Sequence, residues 1–215
     1  MISKIFSMIV KHIKNNLNTY FALLLTFIIG LSAGAFTVNG LSTMQRDELT
    51  NYFQGFLQLL DSQSLDSGEL LKVSLVENIK IISVLWILGV TIIGIPFIYI
   101  IIGIRGFITG FTSGFIIEAL GMKGILFTIF GILPKEIIII PCIIALGVNG
   151  INFSLNIIKS RSIKHLSKES LRTNFLAYCF ATVFYSCIVM GGILLEVYIT
   201  PVLIKIIAPI VTGAV

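Results

Sequence analysis

Apolar runs of membrane-spanning length dominate the sequence, and short polar segments separate them. A helix needs about 20 apolar residues to cross the ~30 Å hydrocarbon core of a bilayer. Runs that meet this length are Leu17–Val38, Ile137–Ile158 and Phe175–Leu195. The pattern predicts an all-α fold, a polytopic membrane helical bundle of about five transmembrane helices with broken or re-entrant segments, in one domain over residues 1–215.

The stretch Ile81–Leu120 is long enough for two crossings and carries almost no charge. Proline lacks an N–H and clashes with the preceding turn, so Pro96 predicts the end of the second helix. We expect the chain to turn within residues 94–106 and the third helix to start near Gly103. Arg105 is then expected in or beside that turn.

A shorter apolar run, Ile125–Leu133, cannot cross a bilayer, and Pro134-Lys135-Glu136 interrupts it. Proline and an acidic residue both suit the first turn of a helix, which predicts a half-helix followed by a new helix. Lys135 and Glu136 are the most conspicuous charges. Buried in the membrane they indicate an ion pathway, whereas at an interface or a re-entrant tip they are ordinary anchors.

Both ends of the chain allow two interpretations. The first apolar run follows three lysines and contains the small residues Ser32–Ala35, as a signal peptide with its cleavage site does; we expect a retained anchor instead. The tail 197–215 is apolar, but Pro201 and Pro209 argue against a full helix. We expect an interfacial or re-entrant segment there, with a sixth crossing as the alternative.

The segment 39–78 is polar, yet its apolar residues have the spacing of an amphipathic helix. Ser42 or Thr43 is suited to cap that helix. Aromatic clusters contribute strongly to interfaces, so this face predicts contacts with a partner. Packing on lipid or on the chain's own helices is the equal alternative. The predicted partner-binding residues are Tyr52, Phe53, Phe56 and Leu57.

Glycines four residues apart indicate helix–helix contacts. Gly106, Gly110 and Gly114 form a GxxxGxxxG string, and Gly30 and Gly34 form a GxxxG string. Such glycines lie on one face of a helix and let another backbone come close. Packing within the chain is the favoured interpretation, and a homodimer is the alternative.

Composition and charge predict the orientation of the chain in the membrane. The chain is 56% hydrophobic and 12% charged, far more apolar than a soluble globular protein. Lysine and arginine concentrate in the N-terminal tail and in residues 159–172, whereas residues 39–78 are mostly acidic. The positive-inside rule predicts a cytoplasmic N-terminus, a basic cytoplasmic loop at 159–172 and an extracytoplasmic amphipathic loop at 39–78. Because the basic stretches lie between apolar runs, lipid headgroups rather than nucleic acid are the expected partners.

Residue types that carry catalysis are scattered in this sequence. His12 and His165 are far apart, and neither has a carboxylate or cysteine at metal-ligand spacing. Cys142, Cys179 and Cys187 lie in apolar runs without a CxxC motif and are expected to be buried thiols. We therefore expect a protein that is not an enzyme and has no catalytic residues, no metal and no cofactor.

Six short strings occur in a fixed order along the chain: Gly34–Ser42, Trp86–Pro96, Arg105–Phe115, Met122–Leu126, Leu133–Pro141 and Val197–Leu203. Together they resemble the stage II sporulation protein M family. The resemblance implies a multi-helix membrane scaffold that recruits and localises two wall-degrading partners, stage II sporulation proteins D and P. It also implies a location in the mother-cell septal and engulfing membrane, where peptidoglycan remodelling drives septum migration and forespore engulfment during sporulation.

The chain departs from the family at one motif. Relatives often have Pro-His-Gly with a later glutamate where this chain has Pro134-Lys135-Glu136, so any role of that motif is not carried over. A small-molecule or ion transporter or channel is the alternative function, because transporters build midplane sites from broken helices and charges. Convergence of Lys135 and Glu136 with Arg105 on a polar cavity would favour it.

Overall fold

The computed structural model describes residues 10–62, 67–162, 168–198 and 202, and among these it contains helices and no strand. Five helical stretches of these residues are long and apolar enough to cross a membrane, which confirms the predicted all-α membrane bundle. The predicted tail, 197–215, lies almost entirely outside the described residues.

The helices are α1 (Leu17–Asn39), α2 (Thr43–Ser62), α3 (Ser67–Val90), α4 (Gly94–Leu120), α5 (Met122–Phe127), α6 (Leu133–Ser162) and α7 (Lys168–Tyr198), with π-helical Thr128–Ile132 between α5 and α6.

The two predicted polar segments are largely helical. Residues 39–78 comprise the connection from α1, the whole of α2 and the first half of α3, which continues into a membrane-spanning helix. The segment 159–172 includes the end of α6 and the start of α7. Most of the described residues in these two polar segments are therefore helical.

The predicted position of the second turn is wrong. The chain turns at Thr91–Ile93, ahead of the predicted 94–106, and α4 runs unbroken through Gly103 and Arg105. Pro96 lies in the first turn of α4, where a missing N–H loses no hydrogen bond because the first N–H groups of a helix have no intrahelical partner. Arg105 consequently lies inside a spanning helix and not in a turn.

A π-helical stretch joins α5 to α6 at the predicted interruption before Pro134. The N–H of Leu133 donates to the carbonyl of Thr128, five residues back instead of four. A π-turn of this kind holds one extra residue, and it precedes a proline that cannot donate to the turn before it. The predicted half-helix and the helix after it are thus one continuous helical stretch.

The long stretch that contains α6 is the centre of the bundle. In its most apolar window 44% of the residues are buried, compared with 22–28% in the other four candidate spans of the described residues. The other spanning helices each contribute side chains to the core around α6, including Leu23 from α1, Leu85 from α3, Ile102 from α4 and Val189 from α7. Their opposite faces expose apolar side chains, as expected where hydrocarbon is the solvent.

Glycine allows α1 and α4 to pack backbone against backbone. The two helices run parallel, because Gly30 lies opposite Gly103 and Gly34 lies opposite Phe107, and a Cβ added at Gly30 or Gly34 would collide with a carbonyl oxygen of α4. In lipid, close van der Waals contact of this kind takes the place of hydrophobic association. A homodimer through these helices stays a prediction, and it would have to use a face of α1 or α4 that is not part of this contact. The contact includes all five predicted packing glycines: Gly30, Gly34, Gly106, Gly110 and Gly114.

We expect Gly110→Ala to destabilise the protein. The new methyl group would meet the backbone of Leu31, and overpacking of this kind costs about 1–3 kcal/mol. Gly191→Ala is the matched control, because no atom lies within 4 Å of its added Cβ and alanine is the better helix former. Thermal unfolding in detergent measures both variants, and equal midpoints would contradict a tight α1–α4 contact.

Candidate functional site

A capping box begins α2. The hydroxyl of Ser42 accepts a hydrogen bond from the N–H of Gln45 at 3.4 Å, and the side-chain oxygen of Gln45 accepts one from the N–H of Ser42 at 3.1 Å. These reciprocal bonds satisfy N–H groups that the first turn of a helix leaves without partners. The start of α2 is therefore determined by its local sequence.

One face of α2 packs on the end of the helical bundle. The ring of Phe53 makes edge contacts with Phe115 of α4 and Phe127 of α5, with centroids 6.1 Å and 5.8 Å apart. Two turns earlier on the same face, Arg46 forms an ion pair with Glu118 of α4. An apolar contact and an ionic contact thus join α2 to the ends of α4 and α5, outside the spanning helices.

The opposite face of α2 is exposed. Met44 and Tyr52 are each 80% exposed. Glu48 and Asn51, which lie between them along the same side of the helix, are exposed as well. Spacing of four, seven and eight residues from Met44 places these side chains in one stripe. This stripe is the part of α2 that another molecule can reach.

The four predicted partner-binding residues occupy different environments. Tyr52 is exposed, whereas Phe53 is half-buried and packs on the chain's own helices, the alternative that the sequence left open. The side chains of Phe56 and Leu57 lie outside the described part of the structure. Contact between Tyr52 and a partner stays a prediction.

A buried ion pair joins α4 to α6. Arg105 Nη2 donates to Glu136 Oε1 at 3.0 Å, and the two side chains are only 13% and 8% exposed. The helices on either side of Gly121 are antiparallel, so both residues lie at a similar distance from this turn, about 24 Å and about 22 Å at 1.5 Å per residue. Gly121 has φ of +60°, a conformation that favours glycine.

Lys135 forms an ion pair with a different helix from the one that Glu136 contacts. Its Nζ donates to Glu196 near the end of α7, and the hydroxyl of Ser74 in α3 donates to the other oxygen of that carboxylate. Adjacent helical residues are about 100° apart around the axis, so Glu136 faces α4 while Lys135 faces α7. Two consecutive residues of α6 thereby connect it to α4 and α7, and Glu196 in turn connects α7 to α3.

The cavity beside Arg105 has mostly apolar walls. Arg105 Nε and Glu136 Oε2 are buried and have no hydrogen-bond partner among the described residues. Charges from α4 and α6 therefore converge in apolar surroundings, and the pair leaves one polar atom of each member unsatisfied. Removing one member of such a pair leaves an uncompensated buried charge. The other side chains that line this cavity are Phe27, Ile102, Ile140, Ile143 and Ile144.

The ionisable groups of the bundle form ion pairs instead of clusters of metal ligands. Within the described ranges, no three His, Cys, Asp or Glu side chains are placed to hold a metal ion. Glu136 and Glu196 each have a cation as neighbour. The arrangement is suited to fixing the relative positions of helices by electrostatic attraction.

Sequence reasoning missed the partners of two carboxylates. Glu118 and Glu196 pair with Arg46 and Lys135, and no motif in the sequence identifies these partners. Charge balance is the signal that points to such pairs, because an acidic group in an apolar run needs a cation within reach. Which cation is within reach depends on which helices become neighbours.

Five apolar spans around paired charges define a multi-pass α-helical membrane protein. The sequence profile of the stage II sporulation protein M family matches residues 23–201, which is most of the chain. The chain therefore belongs to the stage II sporulation protein M family and is a sporulation membrane protein. No curated protein and no solved structure matches it.

We expect Arg105→Leu to destabilise the protein by about 3–5 kcal/mol, the usual effect of leaving one charge of a buried pair without its partner. The double variant Arg105→Leu with Glu136→Leu removes both charges and is expected to recover much of that loss. Thermal unfolding in detergent measures both effects. A double variant no more stable than the single one would show that the ion pair does not couple α4 to α6.

Proposed function

We propose that this protein is a membrane scaffold that recruits and localises peptidoglycan-degrading partners. The observation that supports this role best is α2, which Phe53 and the Arg46–Glu118 ion pair hold outside the spanning helices with Tyr52 on the free face. A segment that is already helical before binding avoids part of the entropy loss of ordering a loop. Tyrosine is also among the side chains that contribute most to binding energy.

The proposed partners come from the family resemblance: stage II sporulation proteins D and P. In this scheme the partners hydrolyse the wall, and this chain determines where they act. The location that suits the role is the septal and engulfing membrane of the mother cell. Septum migration and forespore engulfment would then follow the position of the scaffold.

Charge supports a cytoplasmic N-terminus. Lys11 and Lys14 precede α1, and Lys159 lies near the end of α6, at the same end of the bundle. Asp47 and Glu48 of α2 lie at the other end. Cytoplasmic segments carry the excess of lysine and arginine, so this orientation puts α2 on the wall side, where a wall-degrading partner works.

A transporter or channel is the second candidate. The observation in its favour is that two ion pairs lie within apolar spans, where charges often mark ion pathways. Against it, Arg105 and Glu136 form an ion pair with each other, and the cavity beside Arg105 has mostly apolar walls. Substrate flux in liposomes that is lost in Glu136→Gln would favour transport over scaffolding.

We expect Tyr52→Ala to lower recovery of wall-degrading partners about tenfold, the effect of losing ~1.4 kcal/mol of binding energy. Stability should not change, because Tyr52 is exposed. The measurement is affinity purification from sporulating-cell membranes in mild detergent, with wall hydrolases quantified by immunoblot. Gln54→Ala, at another exposed position of α2, is the control. Unchanged recovery excludes Tyr52 from the interface, and a wild-type protein that recovers no wall hydrolase overturns the scaffold.

Cysteine labelling tests the orientation. In a background with the three native cysteines replaced by serine, Asn51→Cys should react with a membrane-impermeant maleimide in intact cells. Lys159→Cys should react only after the cells are permeabilised, because lysine-rich segments stay in the cytoplasm. The reverse pattern would put α2 in the cytoplasm, away from the wall.

A further inference from the structure

The turn that joins α3 to α4 has an apolar, exposed surface. It consists of Thr91–Ile93, and Ile93 is 75% exposed. The sequence between Lys80 and Arg105 contains no charged residue, whereas turns that face water are usually rich in polar residues. The exposed apolar side chains at this turn form a surface that we call the α3–α4 tip: Val90, Ile92, Ile93 and Phe97.

Polar groups of the turn are bonded within the protein. The N–H and the hydroxyl of Thr91 both donate to the carbonyl of Leu88, at 3.0 Å and 2.9 Å. The carbonyl of Thr91 accepts a hydrogen bond from the hydroxyl of Ser154 at 2.9 Å, and this serine of α6 is fully buried. Irregular backbone at membrane depth requires internal partners of this kind, so the turn is suited to an apolar environment.

Cations of α6 and α7 lie further out than the tip, at the lysine-rich end of the bundle. The contact of Ser154 with Thr91 fixes the level of α6, and Lys159 follows about 7.5 Å further along that helix. Phe175 of α7 packs against the residue before Ser154, with ring centroids 5.8 Å apart, and Arg172 lies about one turn further out. The tip is therefore nearer to the middle of the bilayer than either cation.

The same holds for α1, which packs on α4 in parallel. Gly30 lies opposite Gly103, so Leu17, at the start of α1, is about level with the tip. Lys14 comes three residues earlier, about 4.5 Å further out. Lysine and arginine near helix ends extend to the phosphate headgroups. The cations of three helices thus mark a headgroup level beyond the tip.

The exposed surface of the tip continues the lipid-facing surface of the bundle. Ile87 of α3 and Ile100 of α4, each one turn from the tip, are 57% and 53% exposed. An apolar surface that extends from spanning helices onto a turn marks contact with a membrane or with another protein. The cations just beyond the tip favour the membrane, because anionic headgroups attract them.

We propose that the α3–α4 tip lies among the acyl chains of the leaflet at the lysine-rich end of the bundle, so that it contacts lipid instead of water. In the orientation proposed above, this is the cytoplasmic leaflet. The connection between α3 and α4 is then no cytoplasmic loop, and a soluble cytoplasmic partner meets the N-terminal segment and residues 159–172 instead. This inference stands or falls independently of the scaffold function.

Cysteine labelling measures whether water reaches the tip. In the background without native cysteines, Ile93→Cys should react with an impermeant maleimide about tenfold or more slower than Lys159→Cys in permeabilised cells, because hydrocarbon disfavours the reactive thiolate. The described residues leave Ile93 75% exposed, so they do not account for such protection. Both variants should react equally in SDS, which removes the membrane. A smaller difference in the membrane puts the tip in water and overturns the inference.

Fluorescence distinguishes lipid from protein as the source of that protection. Trp86 is the sole tryptophan of the chain, and in a Trp86→Phe background Ile93→Trp adds a probe at the tip. The purified variant is reconstituted in phosphatidylcholine brominated near the headgroup end of its acyl chains. The brominated lipid should quench its emission more strongly than iodide present on both sides of the membrane. Gln54→Trp, at an exposed position of α2, is the matched control and should show the reverse.

Two results of the fluorescence experiment contradict the proposal. Stronger quenching by iodide puts the tip in water, and quenching by neither agent means that protein covers it, either a second copy or another part of the chain. Thermal unfolding in detergent verifies that Ile93→Trp is folded, as expected for an apolar substitution at an exposed position. If that variant does not fold, the cysteine labelling decides the question.

Discussion

Hydrocarbon solvates neither charges nor free amide groups, and this constraint determines where the charged residues of the bundle lie. Arg105 and Glu136 neutralise each other between α4 and α6, and Lys135 and Glu196 do so between α6 and α7. Because each pair joins two helices, satisfying the charges also sets the relative positions of those helices. The ion pairs and the packing of the helices around α6 therefore depend on each other.

The free face of α2 is a surface outside the spanning helices that other molecules can reach. It is polar and carries one large aromatic side chain, Tyr52. It combines shape with a single directional group, which is how binding sites gain specificity. The close α1–α4 contact involves other residues and leaves this face free.

The number and approximate positions of the spans could be predicted because bilayer thickness sets the length of an apolar run. The spacing of the glycines likewise indicated faces for helix–helix contact, but it did not predict that the α1 and α4 glycines lie in one contact. The turn at Thr91–Ile93 was not predictable, because Pro96 is compatible both with ending one helix and with beginning the next. The ion-pair partners and the inward position of Phe53 depend on which helices become neighbours, and no local pattern encodes that.

The π-helical stretch Thr128–Ile132 has a consequence for chain length. Inserting one residue there would turn the remainder of α6 by about 100° relative to α5. Lys135 would then point in the direction that Glu136 now occupies and bring a second cation up to Arg105. This segment should therefore tolerate exchange of one apolar side chain for another far better than insertion or deletion. The number of residues in it sets the direction in which Lys135 and Glu136 point from the helix axis.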